Sequence, residues 1–213
     1  GNDEVNAHLI SVVEKCAAIC EYLGCPALVV HPWVNKDKDR EREVNLDMYR
    51  RMIPIGKKYR SVKLCLENIY DRFNGRPVSG CCCEAREAVW YIDTLNREAG
   101  EEIFGFCYDL GHANITKRNF RADLVTLSSR VKVLHLHETD SVNDDHYAPL
   151  TQRKTDWDGL IAGLRDINYR GTVNFETCAA IVKYPMELVP SMLRYIADVG
   201  KYLRKKITEE VEA

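Results

Sequence analysis

The chain has 213 residues, of which 46% are hydrophobic and 29% charged, and its formal net charge is −2. This composition is typical of one soluble domain with a full core, and the near-neutral charge disfavours a protein that binds the phosphate backbone of nucleic acids. No apolar run approaches the ~20 residues that cross a bilayer, and the first residues lack a signal-peptide pattern. We therefore expect a cytoplasmic protein, with neither nucleic acid nor a membrane as its partner.

Helix-like and strand-like segments alternate along the chain. Six segments are predicted helices: residues 5–23, 41–59, 82–98, 119–128, 156–169 and 185–206. Pro54 should kink or restart the second of them. Five apolar runs are predicted strands: residues 27–31, 62–69, 103–110, 131–138 and 172–177. Residues 144–150 form either a sixth short strand or a loop. Buried strands that alternate with helices predict a parallel sheet.

Nine cysteines are spread along the chain. Cys16 and Cys20 lie one helical turn apart in an apolar pattern, whereas Cys65, Cys107 and Cys178 lie in strand-like runs. We interpret these five as small buried apolar residues rather than disulfide partners. The three consecutive cysteines at 81–83 are predicted to open the third helix. This use of cysteine is typical of a reducing cytoplasm.

Histidines and carboxylates gather at or just after the carboxyl ends of the predicted strands. Five of the six histidines lie there: His31, His112, His135, His137 and His146. Acidic residues share the location: Glu67, Asp109, Asp144 and Glu176. In a β/α barrel these strand ends meet at one mouth, and imidazoles and carboxylates gathered there are the ligands of a divalent metal ion.

Taken in order, these segments resemble the xylose isomerase-like TIM barrel superfamily, which includes sugar epimerases and endonuclease IV. The matching stretches are LVVHP (28–32), LCLENI (64–69), YDLGHAN (108–114), LHLHETD (134–140), DDH (144–146) and residues 156–176. The resemblance implies an α/β fold of the (β/α)8 type, with residues 1–213 forming a single domain. By family order the first predicted strand is the third of the barrel, so we expect the first two strands to be absent from this chain, leaving strands three to eight.

The resemblance also implies roles for individual residues. Four would bind the central metal ion, which we expect to be Mn²⁺, Zn²⁺, Co²⁺ or Mg²⁺: Glu67, Asp109, His137 and Glu176. Glu67 and Glu176 would also move the proton of the reaction, and His112 would contact the substrate or hold a further ion.

A second set of residues is a candidate for further metal ions or for substrate. His31, Asp144 and His146 match positions that bind additional zinc ions in endonuclease IV, and His135 lies beside the predicted ligand His137. Trp33 either stacks on a sugar ring or packs under its own loop.

These implications predict a metal-dependent isomerase or epimerase that acts on a small sugar or sugar-like substrate. Proton transfer by the two glutamates would proceed through an enediolate. Two alternatives stay open: a multi-zinc phosphodiesterase similar to endonuclease IV, and a remnant barrel that binds a ligand without turnover.

Two features depart from the family pattern. Ketose 3-epimerases carry an arginine shortly after the H-x-H pair, where this chain has Ser141, Val142 and Asn143, so that substrate class stays open. A barrel without two strands would expose two sheet edges, which proteins normally avoid. We therefore expect that this chain is part of a longer one, or that a second copy covers the gap in a homo-oligomer.

Overall fold

A computed structural model describes residues 3–209 of the chain. The strands are β1 (Ala27–Val30), β2 (Lys63–Glu67), β3 (Tyr70–Phe73), β4 (Arg76–Ser79), β5 (Phe104–Asp109) and β6 (Val131–His135). The helices are α1 (Asp3–Leu23), α2 (Lys38–Lys58), α3 (Ala85–Ala99), α4 (Leu110–Ile115), α5 (Phe120–Leu127), α6 (Trp157–Asp166), α7 (Cys178–Val182) and α8 (Val189–Thr208). Among these residues no helix combines the length and hydropathy that a membrane span requires.

A parallel sheet lies at the centre of the fold, in the spatial order β1–β2–β5–β6. All six residues of β5 are buried, as is typical of a strand within a parallel sheet. Beyond β6 the segment 172–177 runs alongside, with Leu136 donating to Asn174 and accepting from Glu176 at 3.0 Å each. At the other edge, β1 pairs with no second strand within residues 3–209.

The core lies between this sheet and the surrounding helices. Tyr49 of α2 makes edge-to-face contacts with Tyr91 of α3 and Phe104 of β5, with ring centroids 6.4 and 6.1 Å apart. Aromatic pairs in this geometry add to the stabilisation from buried area. The side chains at these contacts are almost fully buried, so they fix α2 and α3 against the sheet.

The structure differs from the prediction around Asn74 and Gly75, where the sequence analysis predicts neither a helix nor a strand. Strands β3 and β4 pair antiparallel there and form a hairpin. Both turn residues have positive φ, 48° and 77°, as a two-residue type I′ turn requires. The Asn-Gly pair was therefore a hairpin signal, which the sequence analysis did not use.

The last predicted strand is also different, because residues 172–177 form a single parallel bridge to Leu136 rather than a regular ladder. Residues 144–150 form a loop with one antiparallel bridge, between Tyr147 and Glu138. The predicted helix 185–206 starts instead at Val189, after a separate short helix at Cys178–Val182. The tail ITEEVEA (207–213) is predicted to fray from its sequence, and its residues 210–213 lie outside the described residues.

Three further expectations need correction. The cysteines at 81–83 precede α3 instead of opening it, because Cys82 has a left-handed φ of 58° that a helix does not accept. Cys178 is exposed at the start of α7, not buried in a strand, although Cys65 and Cys107 are buried as predicted. Helix α2 continues through Pro54 without interruption.

Candidate metal centre

The carboxyl ends of three neighbouring strands place acidic and imidazole side chains at one edge of the sheet. Glu67 is the last residue of β2, Asp109 the last of β5 and His135 the last of β6. The parallel register pairs Asp109 with His135. Glu67 and Asp109 are buried, with exposures of 1% and 0%. Buried carboxylates need hydrogen-bond donors, partners of opposite charge or a metal ion. The groups around Glu67 and Asp109 therefore show what this edge of the sheet can bind.

His135 lies at the centre of three carboxylates. Its Nδ1 atom is 3.2 Å from Glu176 Oε2, 3.5 Å from Glu67 Oε1 and 3.9 Å from Asp109 Oδ2. Glu176 reaches this point from the segment that bridges to Leu136, next to β6. We call these four residues the central group: Glu67, Asp109, His135 and Glu176. The sequence analysis names His135 only as a further candidate, whereas the structure places it among the predicted carboxylate ligands.

His137, the imidazole that the resemblance places among the central ligands, lies to one side of this group. It is fully buried, and its Nε2 atom is 3.3 Å from each oxygen of Asp109. Its ring stacks on His146, with centroids 4.1 Å apart and planes 8° from parallel. Gly111 makes room for it, since a Cβ there would overlap the His137 ring.

A second group therefore adjoins the central one. We call it the loop group, because two of its three members come from the loop after β6: His137, Asp144 and His146. Asp144 Oδ2 is 3.2 Å from His146 Nε2, and Asp144 Oδ1 is 3.8 Å from His137 Nε2. Ligand atoms of His137, His146 and Glu176 lie within 4.8 Å of one another. The two groups share Asp109 and Glu176 as neighbours.

His112 connects the two groups. It lies in α4, whose amino end is capped by the Asp109 side chain through a 2.7 Å hydrogen bond from the His112 backbone N–H. Its Nδ1 atom is 2.8 Å from the carbonyl oxygen of Asn68, which can only accept, so Nδ1 carries the proton. Its Nε2 atom is 3.3 Å from Asp144 Oδ2. The ring is therefore fixed between the central group and the loop group.

His31 and Trp33 lie at the rim of the site. The His31 side chain is 69% exposed, and its Nε2 atom is 3.1 Å from Glu67 Oε2. Trp33 is held through its backbone, which exchanges two 2.8 Å hydrogen bonds with the Asn45 side chain. A cavity of about 310 Å³ opens beside both residues, and apolar side chains of α1 and α2 form much of its wall. Ligand sites in proteins are commonly clefts of this kind.

The imidazoles and carboxylates shift one another's pKa. Burial favours the neutral form of Glu67, but the neighbouring His135 and His31 imidazoles outweigh it and lower the pKa of Glu67 to about 2. The His135 imidazole, 3.2 Å away, lowers the pKa of Glu176, and the Glu67 carboxylate raises the pKa of His31. Burial opposes protonation of His135, but neighbouring Cys107, Glu176 and Glu67 raise its pKa.

The loop group shows the same pattern. The Asp144 carboxylate raises the pKa of His146 to about 9. Burial opposes protonation of His112, yet Asp109 and Asp144 raise its pKa to about 9. Burial likewise opposes ionisation of Asp144, but His112 and His146 lower its pKa. Several carboxylates thus stay ionised in a poorly solvated place, and ionised carboxylates are the form that binds a divalent cation.

Three buried polar atoms in the two groups have no hydrogen-bond partner within the described part of the chain: Glu67 Oε2, His137 Nδ1 and Asp144 Oδ1. His31 approaches the first of these without hydrogen-bond alignment. Buried polar atoms in proteins are nearly always paired, so such orphans call for an ion or an ordered water. Their chemistry, carboxylate oxygen and imidazole nitrogen, fits a divalent metal.

Asn68 is part of the site but was missed by the sequence analysis. Its side chain exchanges two 2.8 Å hydrogen bonds with the backbone of Asp109, and its carbonyl accepts from His112. It therefore joins the ends of β2 and β5 and orients His112. The one signal in the sequence was its place directly after Glu67.

A parallel sheet with acidic and imidazole groups at its carboxyl ends defines a β/α barrel protein with a candidate metal centre. This chain belongs to the xylose isomerase-like TIM barrel family, whose sequence model matches residues 1–199. The match confirms the predicted family and fold.

Solved structures share the fold. A D-tagatose 3-epimerase-like protein has a TM-score of 0.73 and 15% identity, over 97% of this chain and 74% of that one. The D-allulose 3-epimerase from Methylomonas sp. has a TM-score of 0.66 and 17% identity, over 97% and 69% of the two chains. The IOLI protein, solved with a bound zinc atom, has a TM-score of 0.69 and 17% identity, over 97% and 71%. At these identities the likeness shows the fold alone.

One curated protein matches part of this chain in sequence. The uncharacterized protein y4fM of Sinorhizobium fredii is 33% identical over 104 residues, which is 49% of this chain and 29% of that protein. The match thus spans less than a third of the relative's length.

Proposed function

We propose that this chain carries the catalytic centre of a metal-dependent isomerase or epimerase that acts on a sugar or sugar-like substrate. The observation that supports this most is the convergence of three carboxylates on the Nδ1 atom of His135, within 3.2–3.9 Å. Sugar epimerases among the proteins of the same fold support the substrate class.

The proposed ligands of the ion are the central group, so His135 takes the place that the resemblance gives to His137. Three carboxylates and one imidazole suit Mn²⁺, Co²⁺, Zn²⁺ or Mg²⁺. When bound, such an ion supplies Lewis acidity, which polarises a substrate carbonyl and acidifies the neighbouring C–H.

Glu67 and Glu176 are the proposed proton carriers. They come from different elements, β2 and the segment beside β6, and both contact His135. One carboxylate removes the proton from the carbon next to the carbonyl, and the substrate becomes an enediolate. The other returns a proton to the opposite face in an epimerisation, or to the adjacent carbon in an isomerisation.

His112 is proposed to bind the substrate. The Asn68 carbonyl fixes a proton on Nδ1, and the Asp144 carboxylate 3.3 Å from Nε2 favours a second proton there, so Nε2 can donate a hydrogen bond to a substrate oxygen. Trp33, which is 42% exposed beside the cavity at the rim, is placed to pack against the substrate's carbon skeleton.

A second candidate function is a phosphodiesterase with several zinc ions. The loop group favours it, because His137, His146 and Glu176 could hold an ion separate from that of the central group. The count of bound ions distinguishes the two functions, since a sugar isomerase needs one ion at the central group and the phosphodiesterase needs a filled loop group as well.

We also propose that the chain forms one domain, made of barrel strands three to eight. One continuous core supports this, since buried residues from α2 to α8 pack in a single cluster. The unpaired edge of β1 is the place where the remaining strands of a closed barrel would pair.

The test is the metal content of the purified protein, measured by plasma mass spectrometry after dialysis against Mn²⁺ or Zn²⁺. We expect at least one ion per chain in the wild type. Glu67→Gln and His135→Ala should lose it, whereas His137→Ala should keep the central ion. The exposed Glu43→Gln on α2 is the control and should bind like the wild type. A wild type that takes up no ion would contradict the proposal. It would favour the alternative of a remnant barrel that binds a ligand without turnover.

Activity supplies the second measurement. In D₂O, the enzyme should exchange the C–H next to the carbonyl of a ketose for deuterium, as seen by NMR, and Glu67→Gln and Glu176→Gln should each abolish the exchange. Exchange that survives in both variants would exclude these glutamates as the proton carriers.

A further inference from the structure

The loop that follows β6 brings two members of the loop group to the mouth. Residues 139–156 include Asp144 and His146, and they contain no helix or strand apart from one bridge. Four non-glycine residues of this loop have φ in the left-handed region: Ser141 (69°), His146 (49°), Leu150 (63°) and Arg153 (56°). Residues with a Cβ atom disfavour this conformation, so contacts between the loop and the rest of the protein must hold it in place.

One residue makes contacts with both the middle and the end of this loop. Glu138, directly before the loop, is fully buried. Its backbone exchanges hydrogen bonds of 3.1 and 2.9 Å with the backbone of Tyr147, next to His146. Its side chain accepts three more: at Oε1 from the backbone N–H groups of Lys154 (3.3 Å) and Thr155 (3.0 Å), and at Oε2 from the Trp157 indole (3.0 Å).

These contacts show that Glu138 differs from its neighbours in the string LHLHETD. Both carboxylate oxygens are used by donors from the far end of the loop, so they are not directed at the central group. A buried carboxylate is costly unless donors surround it, and the three N–H groups meet that need only when the loop is folded as observed. The carboxylate and the loop conformation therefore stabilise each other.

Asn114 of α4 supplies a second tie between the two ends of the loop. Its side-chain amide donates to Thr139 Oγ1 (2.9 Å), Ser141 Oγ (3.1 Å) and Thr155 Oγ1 (3.4 Å). Thr139 and Thr155 are also buried. The loop is thus closed at its base by polar groups that are themselves away from solvent.

We propose that Glu138 is a positioning residue of the metal centre: its carboxylate fixes the 139–156 loop and thereby holds Asp144 and His146 against the central group. This inference rests on the proposed metal site and on Asp144 and His146 taking part in Zn²⁺ binding there. Outer partners of this kind typically change metal affinity by about 10–100-fold when they are removed.

The test is a double-mutant cycle on Zn²⁺ affinity, measured by titration calorimetry of the chelator-treated full chain. Glu138→Gln keeps the size of the side chain but turns an NH₂ group toward donors. It should weaken Zn²⁺ binding by about 10-fold or more. In the His146→Ala background the same change should have an effect below about 2-fold, because the residue it positions is gone.

A matched control separates positioning from folding. Asp123→Asn removes another buried carboxylate, one that pairs with Arg118 at 2.8 and 3.0 Å on α5. It should lower thermal stability and leave Zn²⁺ affinity within about 2-fold of the wild type. Unchanged affinity in Glu138→Gln, or an equal loss with and without His146, would overturn the proposal.

Tryptic cleavage after Arg153 and Lys154 tests the same loop without metal. Both residues are exposed beside the Glu138 contacts. Glu138→Gln should speed cleavage there several-fold, and Asp123→Asn should not. If the wild type binds no Zn²⁺ while cleavage still responds to Glu138→Gln, the proposed function fails and the loop clamp stands. If cleavage does not respond, the clamp itself is wrong.

Discussion

The strand ends and the 139–156 loop deliver the same kinds of side chain to the mouth by different means. Glu67, Asp109 and His135 are the final residues of paired strands, so ladder hydrogen bonds and core packing set their positions. Asp144 and His146 lie in irregular backbone that side-chain hydrogen bonds hold. We therefore expect changes near the central group to lower the free energy of unfolding strongly. Changes in the loop should instead displace the side chains of the loop group before they destabilise the fold.

The largest effect should come from the strand side. Phe106 in the middle of β5 is 1% exposed, and Phe106→Ala should lower the free energy of unfolding by about 3–5 kcal/mol through lost burial and a cavity. Phe73→Ala, at the tip of the hairpin and 53% exposed, is the control. Urea denaturation measures both. If both variants lose a similar free energy of unfolding, the core strand does not contribute more to stability than the exposed hairpin.

A smaller effect is expected in the loop. Arg153 is exposed with φ of 56°, so Arg153→Gly should relieve backbone strain and leave the free energy of unfolding unchanged or raise it, by up to about 1 kcal/mol. The adjacent Gln152 is also exposed but is not among the residues with positive φ.

Gln152→Gly is therefore the matched control and should destabilise by about 0.5–1 kcal/mol, because glycine gains freedom in the unfolded chain. Thermal unfolding of both variants gives the comparison. If Arg153→Gly is the more destabilising of the two, the loop is not strained at this position.

The smallest effect concerns a carboxylate outside both regions. It shows how burial changes the pKa of a carboxyl group that has no histidine partner. Burial, together with nearby Glu41, raises the pKa of Glu87, the opposite of Glu67. A folded-state pKa above the unfolded value stabilises the protein at low pH, and this contribution is lost as pH rises above the usual 4.5.

Glu87→Gln should therefore reduce the loss of stability between pH 4 and pH 7. Its amide oxygen can still accept the hydrogen bond that Cys82 donates at 2.9 Å. Urea midpoints at the two pH values measure the effect, and a pH dependence as steep in the variant as in the wild type would contradict it.

The amino-acid sequence by itself determined the fold class and which edge of the sheet carries the candidate site. Alternating apolar strands and helices indicate a parallel sheet, and polar residues directly after the strands must lie at its carboxyl edge. The hairpin at 70–79 could also have been predicted from the sequence, because the Asn74-Gly75 pair is typical of a two-residue hairpin turn. Segment 172–177 was read as a strand from its apolar residues, but strand formation depends on partners along the whole ladder, and here one bridge forms.

Only the tertiary structure decided which carboxylates each of two imidazoles faces. His135 and His137 are two residues apart, and residues at that spacing point to the same side of a strand, so the sequence pattern offers both equally. The regular ladder ends at His135, which stays beside Glu67 and Glu176. Beyond it the chain leaves the ladder, and His137 lies 3.3 Å from Asp109 and stacks on the ring of His146. That choice depends on where pairing stops and on what the distant loop supplies, and neither can be read from local spacing.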